Sequence, residues 1–129
     1  MIPQHSFHSA KNRCTKLLVS RGYEPVIPVT DSHLCRIIPL HLVGMKGNFE
    51  ALCVKVRLAQ EAVSPEYVES FCRFDICQLR SLLLRSSGNV YLRCEEWVAL
   101  PNGSVHCFEV LTNEIRGLAL NMQLEKRRI

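Results

Sequence analysis

Hydrophobic and polar positions alternate most cleanly over Asn48–Leu58 (NFEALCVKVRL). Leu52, Val54, Val56 and Leu58 fall on one side, and Phe49, Ala51, Cys53, Lys55 and Arg57 on the other. A period of two with β-branched residues predicts a strand, and its length predicts a central one. The second side is unusual, because a lysine and an arginine stand among small apolar groups. Lysine is seldom buried without a partner. This side therefore opens on a cleft, or its long side chains reach out to a sheet edge.

The remaining pattern places elements around that strand. Residues 1–8 are polar and read as a disordered, frayed terminus. Ala10, Cys14, Leu17, Leu18 and Arg21 recur at helical spacing and predict a helix over 9–21, with Ser9 at its start and Gly22 closing it. Tyr23–Val29 (YEPVIPV) predicts a short strand that its prolines push to an edge. Leu34–Val43 (LCRIIPLHLV) predicts a second, with Pro39 marking a bulge or unpaired edge. Residues 44–48 read as a loop. Ser64-Pro65-Glu66 is a strong helix start. Val68, Cys72, Ile76, Leu79 and Leu83 carry that helix as one piece to about Ser86, before Gly88.

Asn89–Leu100 and Val105–Thr112 predict a hairpin around Asn102-Gly103, a dipeptide favoured in type I′ turns. A two-residue loop there opposes Trp97 to Phe108, a favourable aromatic pair. It also opposes Glu96 to Glu109, which is unfavourable unless a cation intervenes. The expected fold is α/β: a mixed sheet of about five strands flanked by helices, in the order α-β-β-β-α-β-β. Residues 9–115 form a single domain, and 116–129 a C-terminal helix or tail ending in the basic EKRRI.

Composition changes this picture only at the margins. A chain of 129 residues fits one domain and can bury roughly 65% of its unfolded surface without a metal or disulfide. The net charge of +4 permits a polyanionic partner without demanding one. The seven cysteines are odd in number and lack a CxxC pair, so zinc-finger and ribbon spacings are excluded. Cys72 and Cys77 diverge by about 140° on a helix. The thiols read as reduced core residues of a cytoplasmic protein. No apolar run suits a signal peptide or a bilayer span, so no membrane association is expected.

The element order, the RGYEPV segment leaving the first helix and the LCVKVR strand together resemble the core of the PD-(D/E)xK nuclease superfamily. The nearest likeness is to archaeal Holliday-junction resolvases and related restriction-endonuclease-like proteins, and it covers about residues 9–100. In that family an aspartate and the Glu of Glu-x-Lys hold a divalent metal, and the lysine positions or activates the attacking water. Two residues apart on a strand, Glu and Lys share a face. A hard cation held by carboxylates supplies hydroxide and stabilises charge on phosphorus.

Carried onto this chain, the lysine is Lys55, the glutamate position is Cys53, and the aspartate position is Cys35 or Arg36. A thiol is a poor ligand for Mg²⁺, so the catalytic motif is degenerate. Asp31 and Glu50 are candidate relocated metal ligands, although Glu50 shares the face opposite Lys55. Glu69 and Asp75 on the long helix are further candidates. All four also read as ordinary solvated acids.

Lys55, Arg57 and Arg36 form a candidate nucleic-acid-binding cluster. Glu96 and Glu109 could hold a cation or share a proton. His5, His8 and Cys14, or His33 with His41, are weaker metal-ligand sets. His106 and adjacent Cys107 point to opposite faces. Phosphate-binding Gly loops, GxSxG and HExxH are absent.

Three functions follow as expectations. The first is a divergent, non-catalytic nuclease-fold protein that binds DNA or RNA, or supports a nucleic-acid-processing partner, with no cofactor. The second is an active endonuclease using Mg²⁺ or Mn²⁺, relocated acids and Lys55 as catalytic residue. The third is a protein-interaction scaffold or homodimer presenting Trp97 and Phe108 on its hairpin.

Overall fold

The structure, a computed structural model, describes residues 7–26, 41–85 and 91–118. They form helix α1 (Phe7–Ser20), strands β1 (Glu24–Val26), β2 (Leu42–Lys46) and β3 (Glu50–Leu58), and helices α2 (Pro65–Phe71) and α3 (Arg73–Arg85). Strands β4 (Tyr91–Ala99), β5 (Val105–Val110) and β6 (Ile115–Leu118) follow. The strands make one six-stranded sheet in chain order. Every neighbouring pair is antiparallel except β3–β4, which is parallel. Parallel neighbours need a crossover, and α2 and α3 lie on it. The fold is thus α/β with a mixed sheet. Among the described residues it has six strands rather than five, because Ile115–Leu118 pairs with β5 in place of the expected helix or tail.

Each face of the sheet carries its own core. On one side, α1 buries Ala10, Cys14, Leu17 and Leu18 against Leu52, Val54, Val56, Trp97 and Cys107. On the other, Val68, Cys72, Ile76, Leu79 and Leu82 from α2 and α3 cover Cys53, Cys94, Val98 and Phe108. β3 is therefore buried on both faces from Ala51 to Val56. Gly44 has no room for a side chain: a Cβ there would lie 2.9 Å from Tyr23 Cβ and 3.0 Å from Leu18 Cδ1.

Several boundaries follow the sequence pattern. Gly22 ends α1 with φ 94°, and Tyr23 N–H returns to Leu18 C=O, as a glycine C-terminal stop requires. Ser64 Oγ accepts from Tyr67 N–H at 3.3 Å, and Pro65 takes the first helical position.

Other expectations are corrected. The first helix begins at Phe7, so Ser9 lies inside it. The second strand runs through Gly44, Met45 and Lys46, and the tight turn is at Gly47, whose φ is 63°. The expected strand segments 27–29 and 34–40 lie outside the described residues. The long helix is two helices broken at Cys72, whose φ of −110° and ψ of 29° leave helical geometry.

The hairpin is shifted by one residue. Leu100 and Ser104 close the loop, leaving Pro101, Asn102 and Gly103 within it, with Gly103 at φ 93°. Trp97 consequently faces Cys107, Glu96 faces Phe108, and the opposed acids are Glu95 and Glu109. Trp97 and Phe108 are buried in different cores, so they present no aromatic patch to a partner.

Candidate functional site

The site lies where the C-terminal end of β3 meets α3. Lys55 and Arg57 point to the α3 side, as the period-two pattern requires. Asp75, in the first turn of α3, receives both. Its Oδ1 is 3.7 Å from Lys55 Nζ and 2.8 Å from Arg57 Nη2, and its Oδ2 accepts from Arg57 Nε at 3.2 Å. Lys55 and Asp75 are almost sealed from water, whereas the Arg57 side chain is 42% exposed. The parallel register sets Glu96 of β4 directly beside Lys55.

A cavity of about 550 Å³ opens over these groups, lined by Phe7, His41, Arg57, Phe74 and Gln78 as well as Lys55 and Asp75. Arg57 stands on its open side, so the side of β3 that carries charge does face a cleft.

Two protonation states set the charge of this cleft. Glu96 is fully buried, and neither carboxylate oxygen has a hydrogen-bond partner among the described residues. The Asp75 carboxylate and the Cys72 thiol are among its polar neighbours. Burial, then contact with Asp75, push its acid up to about 10. Glu96 is thus a neutral carboxylic acid at pH 7, beside the Asp75 carboxylate.

His41 is held neutral in the opposite direction. Burial, then the charges of Lys55, Arg57 and Lys11 against a counteracting Asp75, bring it down to about 4. Its Nδ1 accepts the Val56 N–H at 2.7 Å, so a neutral ring carries its proton on Nε2. His41 Nε2 is a donor in this state and unsuited to grip a metal. Among the described residues, with Glu96 and His41 neutral, two cations outnumber the single charge of Asp75, which favours an anion.

The other face of the sheet carries a separate polar network. Glu95 is fully buried and accepts from Arg21 Nη1 and Nη2 at 2.7 and 2.9 Å, and from Trp97 Nε1 at 2.7 Å. Arg93 Nη2 lies 3.3 Å from Glu95 and 3.4 Å from Glu109. The opposed acids therefore have an intervening cation. Both Glu95 carboxylate oxygens are partnered within the protein, while Arg93 Nε is buried without a partner among the described residues; the network reads as a structural clamp between α1 and β4.

The other sequence candidates are dispersed. Glu50 accepts from the Tyr23 hydroxyl on the face away from Lys55, so it takes no part in the cleft. Cys53, at the position of the family glutamate, is buried opposite Cys94. Glu69 pairs with Arg80. His8 is exposed while Cys14 is buried. Asp31, His33, Cys35, Arg36 and His5 lie outside the described residues. Cys14, Cys53, Cys72, Cys94 and Cys107 are free, buried thiols, and free Cys77 is exposed, so Cys72 and Cys77 do diverge. No group of three or more His, Cys, Asp or Glu among the described residues is arranged to hold a metal.

The convergence of Asp75, Glu96 and His41 on Lys55 was not anticipated. One signal was available. Asp75 falls between Cys72, at the break before its helix, and Ile76 and Leu79 on it, so it lies on the buried stripe. An acid there needs a partner, and a lysine on the buried side of the central strand needs one equally.

Comparison with known proteins adds little. No family model matches the chain. Thirty residues, 23% of the chain, are 73% identical to a stretch of DNA-directed RNA polymerase subunit beta from Rhodopirellula baltica. The match spans 2% of that subunit. No helix among the described residues is long and apolar enough to cross a membrane.

Proposed function

We propose that this chain is a divergent PD-(D/E)xK-type protein that binds nucleic acid, alone or in support of a processing partner, through the Lys55 and Arg57 cleft, without cutting it. The observation that carries this reading is the state of the two cleft acids. Asp75 is already neutralised by Lys55 and Arg57, and Glu96 keeps its proton. The family's glutamate position is a thiol packed against Cys94, so the residues at family positions do not fit a hard cation. Element order supports the family reading: a helix, three strands, a helical crossover and a returning parallel strand. Arg36 remains part of the binding patch on the strength of the sequence. The RNA polymerase match is too short to bear on it.

The test is binding of labelled DNA and RNA across a salt series. Arg57→Ala, alone and with Lys55→Ala, weakens binding and flattens the dependence on salt by about one counterion per lost charge. Arg57→Ala keeps the measurement usable should the buried Lys55 variant fold poorly. Affinity and salt slope identical to wild type in a folded Arg57→Ala would refute the proposal.

One observation favours a second reading, an endonuclease dependent on Mg²⁺ or Mn²⁺. Two carboxyl groups, Asp75 and Glu96, do lie beside Lys55, at positions other than the family's. Hard cations take oxygen donors, and the Glu96 oxygens have no competing partner among the described residues. Incubation with branched, single-stranded and duplex DNA plus either metal decides it. Cleavage that disappears in Asp75→Asn and Glu96→Gln supports this reading, and intact substrates throughout reject it.

A further inference from the structure

The cleft carries more than charge. Phe74 is 72% exposed and Phe7 40% exposed, and both line the same cavity as Arg57 and His41. An aromatic ring left largely in water beside a guanidinium is the arrangement on which unpaired bases stack. Duplex binding by backbone charge has no use for it, because paired bases keep their faces covered.

Gln78 lines the same cavity. Its Oε1 is buried and has no hydrogen-bond partner among the described residues. A buried amide oxygen without a donor is costly, and a ligand donor would satisfy it once the half-buried Gln78 side chain turns towards the cavity. His41 lines the same cavity, and with Nδ1 accepting the Val56 N–H the neutral ring carries its proton on Nε2. The cavity thus offers an aromatic face, an acceptor awaiting a donor, a neutral donor, and a cation at its mouth. Its volume of about 550 Å³ is in the range of small-molecule sites and suits one nucleotide.

Resting on the nucleic-acid reading above, we infer that the cavity takes a single unstacked nucleotide whose base bears an exocyclic amino group. The base lies against Phe74, its amino group donates to Gln78 Oε1, and its phosphate meets Arg57. The ligand class is therefore single-stranded nucleic acid, or an unpaired residue within a branched one, with adenine, cytosine or guanine preferred over thymine.

Fluorescence anisotropy on the full chain tests this with labelled oligo(dA), oligo(dC) and oligo(dT) and a mixed-sequence duplex of equal length. Wild type binds oligo(dA) and oligo(dC) more tightly than the duplex, and both more tightly than oligo(dT). Phe74→Ala weakens oligo(dA) binding by about tenfold, bringing its ratio to the duplex towards one. Gln78→Leu removes the preference for oligo(dA) over oligo(dT).

Equal affinity for single strand and duplex, with Phe74→Ala changing neither ratio, would overturn this inference while leaving the basic-cleft reading standing. No binding of any oligonucleotide overturns both. A wild-type dimer in sedimentation that Phe74→Ala converts to monomer assigns the ring to a protein interface, and overturns the inference as well.

Discussion

The Asp75 carboxylate lies 3.7 Å from the Lys55 ammonium, and each side chain is nearly closed to water. Arg57 shares the same carboxylate from the more exposed side. Breaking a buried pair leaves one partner uncompensated, which costs about 3–5 kcal/mol when burial is complete. Asp75→Asn is therefore expected to lower the melting temperature clearly, by chemical or thermal unfolding. Its effect on function separates the two readings. If the cleft binds nucleic acid, removing the competing charge tightens binding of the folded variant and steepens its salt dependence. If the cleft cuts, the same substitution abolishes cleavage.

Glu96 makes stability depend on pH in the alkaline direction. Its folded-state acid is raised from the ordinary 4.5 to about 10, so between these values the native protein holds a proton that the unfolded chain has released. Stability then falls as pH rises through that window, at no more than about 1.4 kcal/mol per pH unit. Glu96→Gln keeps a neutral group of similar size that cannot titrate. It should raise stability above pH 7 and flatten the decline, as read from denaturant midpoints at several pH values. A variant with the same alkaline slope as wild type would contradict the neutral assignment.

His41 acts at the acid end. Its folded-state value is lowered from 6.5 to about 4, so the unfolded chain binds the extra proton. The stability it provides is present above pH 6.5 and lost as pH falls towards 4. His41→Asn retains a short acceptor for the Val56 N–H and cannot titrate. Melting curves from pH 7 down to 4 should show a shallower loss for the variant than for wild type.

On the opposite face, Glu95 is the shared acceptor of Arg21 and Trp97. Glu95→Ala should cost about 3–5 kcal/mol, because it strands a guanidinium and an indole N–H. Replacing Arg21 and Glu95 together by Met should cost less than Glu95→Ala alone. Urea unfolding of both variants measures the difference. A double variant less stable than the single one would show that the ion pair itself, rather than avoidance of a lone charge, stabilises this face.

Local chemistry made much of the fold legible. Gly22, Ser64-Pro65 and the alternation of β3 act within a few residues, and each reads directly as a stop, a start and a buried strand. The hairpin register was illegible because Asn102-Gly103 suits both a two-residue turn and the observed loop of Pro101, Asn102 and Gly103. One residue of difference moves Glu96 from opposite Glu109 to opposite Phe108. The break at Cys72 was hidden because Val68, Cys72 and Ile76 keep their spacing across it, with Cys72 N–H still bonded to Val68 C=O at 2.8 Å. The site itself is a tertiary product. Lys55, Asp75 and Glu96 sit on three elements, and only the parallel pairing of β3 with β4 brings the last of them in.

That parallel pairing also imposes an order of events during synthesis. Lys55 leaves the ribosome first, Asp75 follows within the crossover, and Glu96 comes last of the three. Until β4 docks, the ammonium sits on a half-finished sheet whose apolar surface on the α3 side is only partly covered. A nascent chain paused before β4 would therefore be a sticky, cationic intermediate, and long-range closure would set the pace of its maturation.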